Sequence, residues 1–317
     1  MLSYVSESEY ISYGEQYYLK DELIDAENLV ESLRTKMLPF YGKKIAFMGD
    51  SIIGNFYDST GVCSLIAEKT GATVINCAFG GTRMAYEYSQ YGDATPGATG
   101  YIDGATDQEK NQVDQYRYWN TLSGYALSQA IATGSWIAQD TAVANMASGL
   151  DYFAQRLAEV KAVDWSTIDF IMWEYGTNDF MSRVKLEDSS DVTNMFAYSN
   201  AYRSAIETIL TEYPNIRVVP VTPMYRWYRS GGAFTNDSNT HTENDYTGTS
   251  HKLTDFVSMA QDISREYQLP CIDNYYTLGA NKFTRLSFFN STDGTHPNAN
   301  GRLRIAEHVA SQLDSVV

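Results

Sequence analysis

After Pro39 the chain falls into an alternation that admits few folds. Five apolar runs of strand length, "KIAFMG", "ATVINCAF", "IDFIMWEYG", "IRVVPVTP" and "LPCIDNY", are separated by stretches with helical spacing. Those stretches are the fifties and sixties, "MASGLDYFAQRLAEVKAV", "NMFAYSNAYRSAIETILTEY", "LTDFVSMAQDISREYQ" and the closing "NANGRLRIAEHVASQL". A strand that is apolar at nearly every position has to be covered on both faces. Strands joined through helices run parallel to one another. The pattern therefore predicts the α/β class: a doubly wound, three-layer α/β/α domain with a five-stranded parallel sheet over residues 41–317.

Residues 1–40 stand apart as an N-terminal segment. Its first sixteen residues are polar and tyrosine-rich, and "LKDELIDAENLVESLRTKML" reads as helix. Leu19, Leu23, Ala26, Val30, Leu33 and Met37 follow a four-three-four-three-four spacing, the seam of a coiled coil. This helix either packs on its own domain or makes a homo-oligomer through residues 19–37. Pro39 ends it in both cases. Two other stretches, residues 85–143 and 225–250, lack a period and read as long loops. Each follows the end of a sheet strand, the side on which such sheets bind ligands. They are expected to form the walls of a site. The run "TNDSNTHTENDYTG", within 236–249 and its edge, is rich in oxygen ligands but lacks the register of a calcium loop, so no metal is expected there.

Charge narrows the partners. With 23 basic and 39 acidic residues, the formal net charge is −16, so nucleic acid and anionic membrane surfaces should be repelled. No apolar run approaches the ~20 residues of a membrane span. "MLSYVSESEY" has neither a basic start nor an apolar core, so no signal peptide is expected, and the compartment stays open between extracellular or phage-tail associated and cytoplasmic. Cys63, Cys77 and Cys271 read as small hydrophobes, with no spacing that suggests zinc. The 25 tyrosines and 5 tryptophans are too many to be all buried. Exposed aromatic faces suit flat ligands such as sugar rings.

Three of the strand runs end in polar, glycine-bearing segments. "KIAFMG" runs into Asp50 and Ser51, "ATVINCAF" into Gly80 and Gly81, and "IDFIMWEYG" into Thr177, Asn178 and Asp179. Ser51 at a strand–helix junction suits an N-cap. It equally suits a nucleophile, set at the positive end of a helix with a backbone N–H beside it. Paired glycines let N–H groups approach a ligand, and an Asn amide can donate to a developing oxyanion. Of four histidines only His296 has a suggestive setting, "STDGTHPNANG", with Asp293 three residues before it. An imidazole can take a serine proton, and a carboxylate can hold its tautomer. A turn role for the glycines and a structural role for His296 are the plain alternatives for each signal taken singly.

In this order the four segments resemble the blocks of the SGNH hydrolases, the GDSL esterase/lipase superfamily. They are Gly49–Ser51, Asn76–Gly81, Gly176–Asp179 and Asp293–His296, and the similarity spans roughly residues 43–316. The resemblance implies a flavodoxin-like sheet and a serine esterase that uses no metal or organic cofactor. It also implies Ser51 as nucleophile, His296 as base and Asp293 as the residue that orients it. The N–H of Ser51, the N–H of Gly81 and the side chain of Asn178 would form the oxyanion hole. Asp50, Gly80, Arg83 and Trp227 are candidate substrate contacts. The first block ends in "IIGN" where Leu-Thr is commoner, which bears on pocket shape. The polar, aromatic long loops favour an acylated carbohydrate, with acetyl as the acyl group. Two other readings are an oligomeric glycan-binding adhesion module on the same fold, as in phage tails, and a lipase or thioesterase acting on acyl chains.

Overall fold

The computed structural model describes residues 10–13, 16–19, 38–86, 120–144, 152–182, 184–230, 233–237, 251–290 and 294–316. The strands are β1 (Tyr10–Tyr13), β2 (Gln16–Leu19), β3 (Lys44–Gly49), β4 (Thr73–Asn76), β5 (Phe170–Glu174), β6 (Arg217–Val221), β7 (Trp227–Ser230) and β8 (Ala233–Asp237). The helices are α1 (Ser51–Gly54), α2 (Val62–Thr70), α3 (Gly124–Thr133), α4 (Ile137–Ala144), α5 (Tyr152–Lys161), α6 (Thr177–Met181), α7 (Tyr198–Glu212), α8 (Leu253–Glu266), α9 (Arg285–Phe288) and α10 (Ala299–Val316).

The central sheet is parallel, in the order β4-β3-β5-β6. Its two middle strands are buried almost throughout: every residue of β5 and all of β3 after Lys44. Ile45, Phe47, Met172 and Trp173 are fully buried, and each such side chain stabilises the fold by about 1.5–3 kcal/mol. Helices cover both faces, with α2 against α10 and α7 between α3 and α8. From β3 the chain crosses to β4 on one side and later returns to β5 on the other. The crevice beyond the carboxyl ends of β3 and β5 is therefore the topological switch point, where ligands of such sheets bind. No helix among the described residues is long and apolar enough to cross a membrane.

The sheet has four strands where five were expected. "LPCIDNY" is reduced to one parallel bridge, Ile272 to Val221. Ile272 N–H donates to Pro220 O and Thr222 N–H to Ile272 O, both at 2.9 Å. Pro270 has no N–H to extend the ladder. Asp273 Oδ1 accepts from the N–H groups of Tyr275 and Tyr276, which turns the chain out of the sheet.

Both expected loops contain regular structure. Residues 120–143 of the 85–143 stretch are largely helical. Helix α3 has clear termini: Ser123 Oγ caps the Ala126 N–H, and Gly134 closes the far end at φ 68°. Its Ala, Ser and Gln residues give little contrast between faces, so its period was masked. Burial against α7, with Gln129 Nε2 donating to Thr208 Oγ1, holds it in place. In the 225–250 stretch, β7 and β8 pair as an antiparallel hairpin. The Gly231-Gly232 pair between them is hairpin sequence. Residues 87–119 and 238–250 lie outside the described residues. At the N-terminus β1 and β2 form another antiparallel hairpin, so Leu19 ends a strand rather than starting a helix. The remainder of the seam, residues 20–37, lies outside the described residues.

Candidate active site

The site starts where β3 ends. Gly49 lies so close to β5 that a Cβ there would meet Glu174 O at 2.9 Å. The next residue, Asp50, is the N-cap of α1: its Oδ1 accepts from the Ile52 N–H at 2.9 Å. Capping is thus done by Asp50, and the Ser51 hydroxyl is released from that role. Ser51 Oγ instead lies 2.9 Å from His296 Nε2, across 245 positions of sequence.

The turn carrying His296 is fastened from two directions. The His296 carbonyl accepts from the Asn290 N–H at 2.9 Å, and the Gly294 carbonyl from the Trp227 N–H at 2.9 Å. Arg226 then ties this turn to α6. Its Nη2 donates to Thr295 Oγ1 at 2.9 Å, and its Nη1 to Thr177 Oγ1 at 2.8 Å and Thr177 O at 3.1 Å. Asp293 lies outside the described residues.

The second and third blocks converge beside Ser51. Gly80 N–H donates to the Tyr152 hydroxyl at 3.3 Å. Gly81, at φ 80°, is in the left-handed region that glycine tolerates. No acceptor holds the Gly81 N–H among the described residues, which separates it from Gly80. Asn178, in the first turn of α6, points its amide at Ser51's neighbours, donating to Asp50 Oδ2 at 3.2 Å and Thr82 O at 3.0 Å. Asp179 accepts from the N–H groups of Met84 and Ala85 at 3.1 and 3.0 Å, locking the chain after the glycine pair.

Three buried carboxyls sit under these contacts. Burial pushes Asp50 up to about 7; the Ile52 N–H, His296 and Arg226 oppose that shift, and Asp179 adds to it. Burial also lifts Asp179 to about 6, against the N–H bonds from Ala85 and Met84 and the charge of Arg83. Glu174 is raised well above the ordinary carboxyl range by burial, then by Asp50. Neither of its oxygens has a hydrogen-bond partner among the described residues, an environment that favours the uncharged form.

Three expected substrate contacts are structural instead. Asp50 is fully buried and serves as a cap and as the acceptor for Asn178. Arg83 is buried; its Nε and Nη2 donate to Ser182 Oγ and its Nη1 to Gly81 O, so it joins the second block to the end of α6. Trp227 is only 8% exposed, with Arg285 over its ring at 4.3 Å and Tyr225 beside it. Arg226 and Tyr152, which do border the site, carried no sequence signal: one lies in "YRWYR" and the other opens an ordinary helix.

A serine hydroxyl against an imidazole, at the switch point of a parallel sheet and beside a glycine N–H and an amide, is the arrangement of a hydrolase that works by nucleophilic attack. Residues 98–303 match the GDSL-like lipase/acylhydrolase family, and the chain belongs to it. It is a serine ester hydrolase of the SGNH superfamily. The matched stretch begins after Ser51 and Gly81, and the Ser51–His296 contact joins the serine to it. Among solved structures, a protein from Lactobacillus plantarum is similar with a TM-score of 0.53 at 17% identity, over 87% of this chain and 99% of that one. A possible lipase from Chitinophaga pinensis is similar with a TM-score of 0.50 at 14% identity, over 86% and 98%. At such identities the likeness concerns the fold. No curated protein matches the sequence.

Proposed function

We propose that this ester hydrolase removes small acyl groups, acetyl above all, from carbohydrate through an acyl-enzyme. Ser51 Oγ attacks the ester carbonyl while His296 Nε2 takes its proton. The tetrahedral oxyanion rests on the N–H groups of Ser51 and Gly81 and on Asn178 Nδ2. His296 then hands the proton to the departing alcohol. For deacylation it draws a proton from water, whose oxygen attacks the acyl carbon, and Ser51 leaves protonated. Asp293 orients the imidazole in this reading, as the resemblance implies. The observation that carries the chemistry is the 2.9 Å contact between Ser51 Oγ and His296 Nε2.

The substrate class rests on the chain's own aromatic content. Ten of its 25 tyrosines fall in the stretches 85–143 and 225–250, seven in the first and three in the second, and amide and carboxylate groups are interspersed with them. Such surfaces suit polyhydroxylated rings better than acyl chains. Released acetate, measured over a panel of acetylated oligosaccharides and simple acetyl esters, tests this. Wild type is expected to turn over both, and Ser51→Ala to lose at least about 10³-fold in kcat. Wild type inert towards every acetyl ester sinks the reading; full activity in Ser51→Ala sinks the assignment of the nucleophile.

A further inference from the structure

Close to Ser51, beside Gly80, lies an aromatic pair that the chemistry above does not use. A Cβ on Gly80 would lie 2.7 Å from the Tyr152 hydroxyl, 3.3 Å from Asn55 Oδ1 and 3.6 Å from Ser51 Cβ. The phenol and the serine therefore border the same small space. Tyr152 O accepts from the Gly80 N–H at 3.3 Å. The Tyr57 and Tyr152 hydroxyls are also hydrogen-bonded to each other; with Tyr57 as the donor, the Tyr152 oxygen accepts twice and keeps its own proton for a further bond. Burial raises the Tyr152 pKa, so the group stays a phenol at neutral pH.

Tyr57 stands next to Tyr152, with ring centroids 5.3 Å apart and planes tilted by 59°. It is 49% exposed, yet it is not loose. The guanidinium of Arg156 lies 4.1 Å from its ring centroid. Arg156 is itself buried, donates through Nη1 to Asn76 O at 2.6 Å and pairs with Glu159 at 3.3 Å. Burying a guanidinium is costly unless it is paired, and here it fixes an exposed ring through a cation–π contact. A surface aromatic held in advance loses little further freedom when a ligand stacks on it.

We propose that Tyr57 and Tyr152 form the recognition wall for the alcohol portion of the substrate, Tyr57 stacking on a polyhydroxylated ring and Tyr152 donating its O–H to an oxygen of that ring. This rests on the carbohydrate reading above and names the residues that carry it. An aromatic face takes the C–H face of a pyranose, and a lone phenol donor discriminates an alcohol bearing ring oxygens from a plain alkyl one. A long acyl chain would use neither the donor nor the stacking geometry. The competing role for Tyr152, a prop under the Gly80 loop, would affect all esters alike.

The test is a specificity ratio: kcat/KM for an acetylated methyl glycoside divided by kcat/KM for ethyl acetate, which has no ring to recognise. Tyr152→Phe and Tyr57→Ala are each expected to lower this ratio about tenfold. Tyr57→Phe keeps the ring but removes the hydroxyl bonded to Tyr152; it should hold the ratio well above that of Tyr57→Ala, and thermal melts of all variants control for folding. A ratio unchanged in Tyr152→Phe and Tyr57→Ala overturns the proposal, whether both rates fall together or neither does. Wild type that hydrolyses ethyl acetate but no acetylated glycoside overturns the carbohydrate reading, and the proposal with it. Turnover of both by wild type, with an unmoved ratio in the variants, overturns the proposal alone.

Discussion

Asn178 uses both hydrogens of its side-chain amide in the absence of substrate, one on Asp50 Oδ2 and one on Thr82 O. Those bonds hold the amide in place before any charge develops, which is what makes a fixed donor effective. They also mean that an oxyanion must compete with Asp50 for the Nδ2 hydrogen. Asn178→Ala is expected to lower kcat by about 10²–10³-fold with little change in KM. It also leaves Asp50 Oδ2 short of a partner, which should reduce stability by about 1–3 kcal/mol. Steady-state kinetics with a denaturation curve check both. A kcat loss below about tenfold would reduce Asn178 to a residue that merely orients Asp50. At this scale much was legible in the sequence: Ser51, Gly81 and Asn178 lie in short polar segments at strand ends, and His296 in one just before the last helix. The capping role of Asp50 was not, because any of Asp50, Ser51 or Asn55 has the chemistry to cap and only backbone direction chooses among them.

Between elements, the decisive part is Arg226. It is buried and bridges the first turn of α6 to the turn before α10, so it couples the segment carrying Asn178 to the one carrying His296. Its planar fork reaches Thr177 and Thr295 at once, which a lysine ammonium on a single stem reproduces poorly. Arg226→Ala should therefore lower kcat/KM by about 10–100-fold and stability by about 1.5–3 kcal/mol. Arg226→Lys should recover stability more than activity. Parallel thermal melts and kinetics read this out; equal recovery of both would reduce Arg226 to a packing role. Strand-ends and helix periods were readable in the chain, and β3, β5, β6, α7, α8 and α10 fall where the pattern places them. Helix α3 and the hairpin β7–β8 were hidden because tyrosine- and glycine-rich flanks blur periodicity, and α3 is held by packing against α7.

Across the whole molecule, the buried carboxyls make stability depend on pH in an unusual direction. Asp50 rises from 3.8 to about 7 on folding, and Asp179 from 3.8 to about 6. A carboxyl that holds its proton more tightly when folded supports the fold below its unfolded pKa. That support drains away as pH rises through the folded value. Stability should thus fall between about pH 4 and pH 7. Urea denaturation at pH 4, 5.5 and 7 is expected to show this slope and a shallower one in Asp50→Asn, with Asp179 and Glu174 supplying the remainder. Equal slopes in the two proteins would mean that Asp50 is ionised throughout.

The residue pattern alone determined the α/β class, the order of the main elements and the four segments that meet at the site. Those depend on short-range properties: apolar runs, turn chemistry and helix spacing, all of which are written locally. Tertiary structure decided the rest. It placed Ser51 against His296 from opposite ends of the chain, cut the fifth strand to a bridge, buried Arg83 and Trp227 and set Tyr152 beside Gly80 near the serine. Each of these turns on which backbones approach and which side chains lose water. Both are set by packing between segments distant in sequence, and no local pattern records them.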